Sequence, residues 1–198
     1  MPPRCFLALT LPAPVLATLG SARVTLLEAA PAWAGEKWVA APLLHVTLAF
    51  LGALDDDAIG AGVPRMLKAA ALLPAFELRL EGVAAVPSRR RATMLWATLS
   101  DPQGALTGLR DELLAAFPTA GSEPDNRPLR PHVTLVRTRS PRRVHPDALA
   151  KATDRILADP GLREELAARG REVAAAWPQG LDTASRWLTW YSETARMT

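Results

Sequence analysis

Two imidazoles and two hydroxyls recur in one phrase. His45-Val46-Thr47-Leu48 returns as His132-Val133-Thr134-Leu135, a little under half of the 198-residue chain later. The chain has only 3 histidines, and two of them sit here. Side chains alternate faces along a β-strand, so His and Thr of each copy point one way and Val and Leu the other. Each copy reads as a strand with one apolar face in a core and an imidazole plus a hydroxyl facing a cleft. Two such strands brought together offer one ligand a base, an acid and two hydrogen-bond donors near neutral pH.

Blander readings compete. A single His-x-Thr on a strand is ordinarily a β-compatible surface pair. Its repetition in one chain is what points to a site. Paired histidines also suggest zinc, but no Cys pair or His-x₃-His spacing accompanies them, and His145 lies beside Pro146 in an arginine-rich loop. His145 reads as a solvated residue, and no metal is expected. Asp55-Asp56-Asp57 fits a helix N-terminus, where carboxylates meet the positive end of the dipole, better than a ligand cluster.

The surroundings of the phrases add Arg4-Cys5-Phe6-Leu7-Ala8-Leu9, Lys37-Trp38-Val39, Phe50-Leu51-Gly52, Pro87-Ser88-Arg89-Arg90-Arg91 before Met94-Leu95-Trp96, and Arg130-Pro131 leading to Arg137. In this order, over roughly residues 4–139, the chain resembles the 2H phosphoesterases. Within them it is most similar to the RNA 2′,3′-cyclic phosphodiesterases, also called 2′-5′ RNA ligases. The resemblance implies an α+β fold of two pseudo-symmetric lobes, each an antiparallel sheet backed by helices, with a central cleft. It implies metal-independent, cofactor-free opening of RNA 2′,3′-cyclic phosphate ends to 2′-phosphates, with 2′-5′ ligation as the reverse. His45 would be the acid and His132 the base, with Thr47 and Thr134 on the non-bridging oxygens. A 2H enzyme for a small nucleotide such as ADP-ribose 1″,2″-cyclic phosphate, or a non-catalytic RNA-end binder, are the other readings. The intact His and Thr of both copies argue against the binder.

Phe50 and Arg137 stand five positions after the two histidines. The resemblance makes them contacts to the terminal nucleobase, a ring face and a guanidinium on either side. Strict alternation would turn both to the core, and for Phe50 both readings stand. An unpaired buried arginine is costly, which turns Arg137 to the cleft. Arg130 and Arg91 are the candidate phosphate ligands, while Phe6, Trp38 and Trp96 read as core. His132 lies between Arg130 and Arg137, whose charge would favour its neutral, basic form; His45 has no arginine near it in sequence.

A chain of 198 residues with 49% hydrophobic and 22% charged content can build one domain with a substantial core. Lone Cys5 excludes an internal disulfide framework and suits a reducing cytoplasm, as a buried small hydrophobe. No apolar run is long enough for a membrane span, and no obligate protein partner is evident. Net charge +3 is merely compatible with an anionic partner. The placement of Arg89, Arg90, Arg91, Arg127, Arg130, Arg137, Arg139, Arg142 and Arg143 beside the phrases suits RNA phosphates.

Hydrophobic periodicity predicts strands over 4–10, 37–39, 44–50, 76–84, 93–99 and 132–138, and helices over 14–30, 55–73 and 103–117. Strand–helix–strand order around each phrase suggests a duplicated α+β lobe within one domain, 1–198. Gly121 to Pro131 reads as a loop. Residues 146–180 form a helical segment atypical of the family, and Trp187 to Glu193 resembles the family's late strand.

Overall fold

The structure, a computed structural model, describes residues 4–72, 76–117 and 128–158. Its strands are β1 (Arg4–Thr10), β2 (Lys37–Trp38), β3 (His45–Ala53), β4 (Arg79–Val86), β5 (Ala92–Ser100) and β6 (His132–Arg142). Its helices are α1 (Ala13–Ala29), α2 (Asp56–Ala71), α3 (Ala105–Ala115) and α4 (Pro146–Leu157). All strand pairings are antiparallel, in the order β1-β3-β6-β5-β4, with β2 also on β6. The expected α+β class is observed. The fourth strand starts at Arg79 rather than 76, and the second phrase's strand runs on to Arg142. The segment expected over 146–180 is helical through Leu157; beyond Ala158 it lies outside the described residues, as do the expected late strand at Trp187 to Glu193 and most of the 121–131 loop.

The sheet is two sheets joined at one point. β3 and β6 pair only through Val46 opposite Val133, and both valines are fully buried. Past that crossing β2 replaces β3 as the neighbour of β6, pairing Lys37 with Arg137 and Trp38 with Val136, while Val39 N–H donates to the Leu135 carbonyl. The chain then turns through Ala41–Leu43 to enter β3.

Two cores flank the crossing. One gathers Val15, Leu19, Ala22 and Leu26 of α1 and Ala148, Leu149, Ala152 and Ile156 of α4 against β4, β5 and β6. The other gathers Leu106, Leu109 and Leu113 of α3 against Cys5 and Leu7 of β1 and Leu48, Ala49 and Leu51 of β3. The apolar residues of α1 and of α3 recur every three or four positions, so each helix has one face to bury. The duplication is thus not two self-contained halves. Helix α1 lies between β1 and β3 in sequence but packs beneath the second phrase, and α3 lies between β5 and β6 but packs beneath the first. Antiparallel neighbours do not need a helix stacked on their own face to connect them, which leaves each intervening helix free to cross over.

Two helix starts explain residues that could be mistaken for ligands. Asp55 caps α2, its carboxylate accepting from Ala58 N–H at 2.8 Å, with Asp56 and Asp57 in the first turn. His145 caps α4, its Nδ1 accepting from Asp147 N–H at 3.3 Å. Among the described residues no helix is long and apolar enough to cross a membrane.

If the buried valine crossing holds the two sheets in register, Val46→Ala and Val133→Ala should each lower stability by about 2 kcal/mol, from lost methyls and the cavity left. Urea midpoints equal to wild type in both variants would show that the crossing bears little of the fold.

Candidate active site

The Val46–Val133 pair is the local two-fold axis of the site. Continued to either side, that register sets His45 across from Thr134 and Thr47 across from His132. Directly opposed residues lie about 4.5–5.5 Å apart and diagonal ones about 7–8 Å. The two imidazoles are therefore diagonal neighbours in that register, as are the two hydroxyls. Both threonines are half-buried, and among the described residues neither hydroxyl has a protein partner.

Each ring is held in the same way. His45 Nδ1 donates to the Leu43 carbonyl and His132 Nδ1 to the Arg130 carbonyl, both at 2.8 Å and both two residues upstream. A carbonyl can only accept, so the proton on Nδ1 is fixed in both rings and the exchangeable proton belongs to Nε2. Burial is the largest cause lowering the pKa of His45 below the ordinary imidazole value; the Leu43 bond opposes it and the Arg137 charge adds to it. His132 is lowered by burial first, against the Arg130 carbonyl bond, then by Arg137 and also by the charge of His45. Sequence proximity ties Arg137 to His132 alone. The antiparallel register carries it to the His45 end of the cleft, and its charge acts on both rings.

Matched irregularities explain why position +5 reaches the cleft. In β1–β3 pairing, Leu7 faces Ala49 and Ala8 faces Thr47, leaving Leu48 as an extra residue. In β5–β6 pairing, Leu95 faces Val136 and Trp96 faces Thr134, leaving Leu135 extra. A bulge of one residue reverses the alternation beyond it. Leu48 and Ala49 are both buried, as are Leu135 and Val136, and the next residues, Phe50 and Arg137, are exposed. Phe50 is 62% exposed, which settles it as a surface-facing ring rather than core. Because the strands are antiparallel, Phe50 and Arg137 lie toward opposite ends of the crossing.

Two aromatic rings are legible only as core from sequence, and both lie on the cleft side. Trp96 stacks on His132, with centroids 3.7 Å apart and planes at 18°. Its Nε1 is buried without a hydrogen-bond partner, whereas its counterpart across the two-fold, opposite Thr47, is Ala8. Phe6 lies 5.1 Å from the His45 ring and 6.1 Å from Phe50. A signal for both exists: in each pairing, the strand beside a phrase must put its own residues on the phrase's cleft face. Trp38 alone of the three keeps its expected place, packing against the core and donating to the Trp33 carbonyl at 2.8 Å.

The remaining expected ligands divide. Arg130 is exposed and immediately precedes Pro131 and His132, so it stands at the site's edge while its carbonyl orients the ring. Arg91 is in the β4–β5 turn, its N–H donating to the Ser88 carbonyl. It is seven residues along from Thr98, the partner of His132, a span of about 23 Å on a strand. The structure sets Arg91 well along β5 from His132. Among the described residues no three His, Cys, Asp or Glu side chains gather as metal ligands.

Known proteins share this arrangement of elements. A family profile described as the 2'-5' RNA ligase superfamily matches residues 17–158. An RNA 2',3'-cyclic phosphodiesterase of Escherichia coli (strain K12) is 32% identical over 139 residues, 70% of this chain and 74% of that protein. One from Aeropyrum pernix is 30% identical over 98 residues, 50% of this chain, and the match spans about half of that relative, 54%. The crystal structure of a Thermus thermophilus protein, TT0787, aligns with a TM-score of 0.59 at 26% identity, over 72% of this chain and 78% of that one. With the profile covering well over half of its sequence, the chain belongs to the 2′-5′ RNA ligase superfamily.

Proposed function

We propose that this protein opens the 2′,3′-cyclic phosphate at the end of an RNA and leaves a 2′-phosphate. The observation that carries the reading is the pair of imidazoles related by the valine crossing, each with Nδ1–H committed to a carbonyl and Nε2 left to move the proton. The relatives from Escherichia coli and Aeropyrum pernix, both RNA 2',3'-cyclic phosphodiesterases by name, support the same substrate class.

The chemistry balances without a covalent enzyme intermediate. Nε2 of neutral His132 takes a proton from water as the water oxygen bonds to phosphorus. The P–O3′ bond breaks opposite, and O3′ takes the Nε2 proton of charged His45. Thr47 and Thr134 donate to the non-bridging oxygens, where transition-state charge is spread. The assignment of roles, His45 as acid and His132 as base, follows the family resemblance; the two charges oppose each other, so the site favours one proton shared by the pair. With the 5′-hydroxyl of a second RNA in place of water, the same displacement forms a 2′-5′ linkage: His132 takes the hydroxyl proton, the P–O3′ bond breaks and O3′ takes the proton of His45. Phe50 offers an exposed ring face for base stacking, a common mode for single-stranded RNA ends. Arg130 at the site's edge offers a charge to phosphate.

A short RNA ending in 2′,3′-cyclic phosphate should yield the 2′-phosphate at equal rates with and without EDTA. His45→Ala and His132→Ala should each lower turnover by about 10²–10⁴-fold while remaining folded. Near-wild-type turnover in either variant would dispose of the two-imidazole mechanism. Turnover confined to a small cyclic nucleotide, with the RNA end untouched, would reassign the substrate.

Both imidazoles are lowered, so protonation of the free enzyme falls below the usual histidine range. The bell of kcat/KM against pH should have both limbs below about pH 6.5. The acid limb reports loss of the neutral base and the alkaline limb loss of the charged acid. Removing the indole in Trp96→Leu should lower kcat and, by rehydrating His132, shift the acid limb upward. A bell centred above pH 7, or a Trp96→Leu profile superimposable on wild type, would contradict this electrostatic arrangement.

A further inference from the structure

The β4–β5 turn is tied to the end of β6. Val144 N–H donates to the Arg89 carbonyl at 3.0 Å, and Ala92 pairs with Arg142. Between the Met94–Arg137 and Ala92–Arg142 partners, two steps along β5 face five along β6. Surplus residues on one strand bend it outward, and Arg139, Ser140 and Pro141 are all exposed. Arg89, Arg90, Arg91, Arg139 and Arg143 therefore gather at one end of the sheet, each of them exposed.

This charge is not neutralised from within. Among the described residues none of these arginines has an ion-pair partner. The nearest carboxylates in sequence are committed. Glu36 is ion-paired with Arg142 and accepts from Arg139 N–H at 3.4 Å, and Asp147 lies 3.4 Å from His145 Nδ1. The whole chain carries only +3, so the patch is a local concentration and not general basicity. Its footing is firm, because Ala92 and Val144, which anchor the turn to β6, are both buried. All its cations are arginines, whose planar forks match phosphate oxygens two at a time. A protein-binding surface has an apolar centre, but the large exposed apolar side chains, Val24, Phe50, Leu72 and Leu157, belong neither to the turn nor to the end of β6.

We propose that Arg89, Arg90, Arg91, Arg139 and Arg143 form an exosite that grips the RNA backbone several nucleotides before its cyclic end. This rests on the function proposed above and deepens it, since the enzyme then prefers oligomers to single cyclic nucleotides. The patch continues the two strands that carry His132 and its partner Thr98, and Arg91 stands about 23 Å along β5 from Thr98. Stacked nucleotides advance by about 3.4 Å each, so about seven of them cover that span. A grip on phosphates carries no choice of base.

The test compares oligoadenylates of two, four and twelve nucleotides, all ending in a 2′,3′-cyclic phosphate. Wild-type kcat/KM should rise by about tenfold or more from the tetramer to the dodecamer, mostly through KM. In Arg89→Gln/Arg90→Gln and in Arg139→Gln/Arg143→Gln, the dodecamer-to-dinucleotide ratio should fall severalfold. Its slope against log salt should lessen by about 0.7 for each arginine removed. Rates independent of length in wild type would overturn the exosite, as would a ratio unchanged in both variants or a loss shared equally by the dinucleotide. Should no cyclic substrate turn over, the functional reading fails, and binding decides the exosite separately. A 3′-phosphorylated dodecamer should then bind both variants more weakly than wild type; equal affinities would end the proposal. A polyglutamate peptide bound more tightly than the dodecamer, and released by the same substitutions, would assign the patch to an acidic protein and end it too.

Discussion

The geometry of this protein depends on two strands that touch at a single buried pair. Val46 and Val133 bring β3 and β6 together, and to either side of them the strands find other partners. A longer shared ladder would have made one continuous sheet. With contact confined to the crossing, the two histidines and two threonines surround one point. The bulges at Leu48 and Leu135 extend that effect: each reverses the alternation, so a third residue from each strand reaches the cleft face. Paired imidazoles and flanking Phe50 and Arg137 all follow from one apolar contact and two extra leucines.

The exchange of helices stabilises the crossing from behind. Because α1 packs under the second phrase and α3 under the first, each core draws on sequence from both halves of the chain. Separating the lobes would expose apolar faces of both helices, so the single ladder pair need not hold them together alone. The symmetry is nevertheless broken around the two imidazoles. Trp96 stacks on His132 where Ala8 occupies the equivalent register beside the first phrase, and Phe6 sits at a tilt near His45. Identical phrases thus acquire different surroundings.

Much of this is legible in the residues. The repeated phrase names the histidines and threonines, because period-2 alternation alone puts them on one face. Asp55 and His145 read as non-ligands from their neighbours, and the structure shows both capping helices. What alternation cannot carry is anything beyond a bulge: Phe50 stays ambiguous until Leu48 is known to be the extra residue. Trp96 looks like core since an apolar strand does not reveal which neighbour it pairs with. Arg91 and Arg137 seem comparable in a one-dimensional cluster, yet strand pairing places one far along β5 and the other at the cleft. The crossover of α1 and α3 leaves no local mark at all, since each helix has an apolar face suited to either lobe.

Both Nδ1 protons are committed to backbone carbonyls, so the proposed proton transfers fall to the two Nε2 atoms, and burial lowers both rings. Imidazole ¹⁵N shifts of His45 and His132, followed through a pH titration of the free protein, test this most directly. The expected result is an Nδ1–H tautomer for both neutral rings and midpoints below the ordinary histidine value. An Nε2–H tautomer at either ring, or a midpoint above the ordinary histidine value, would contradict it.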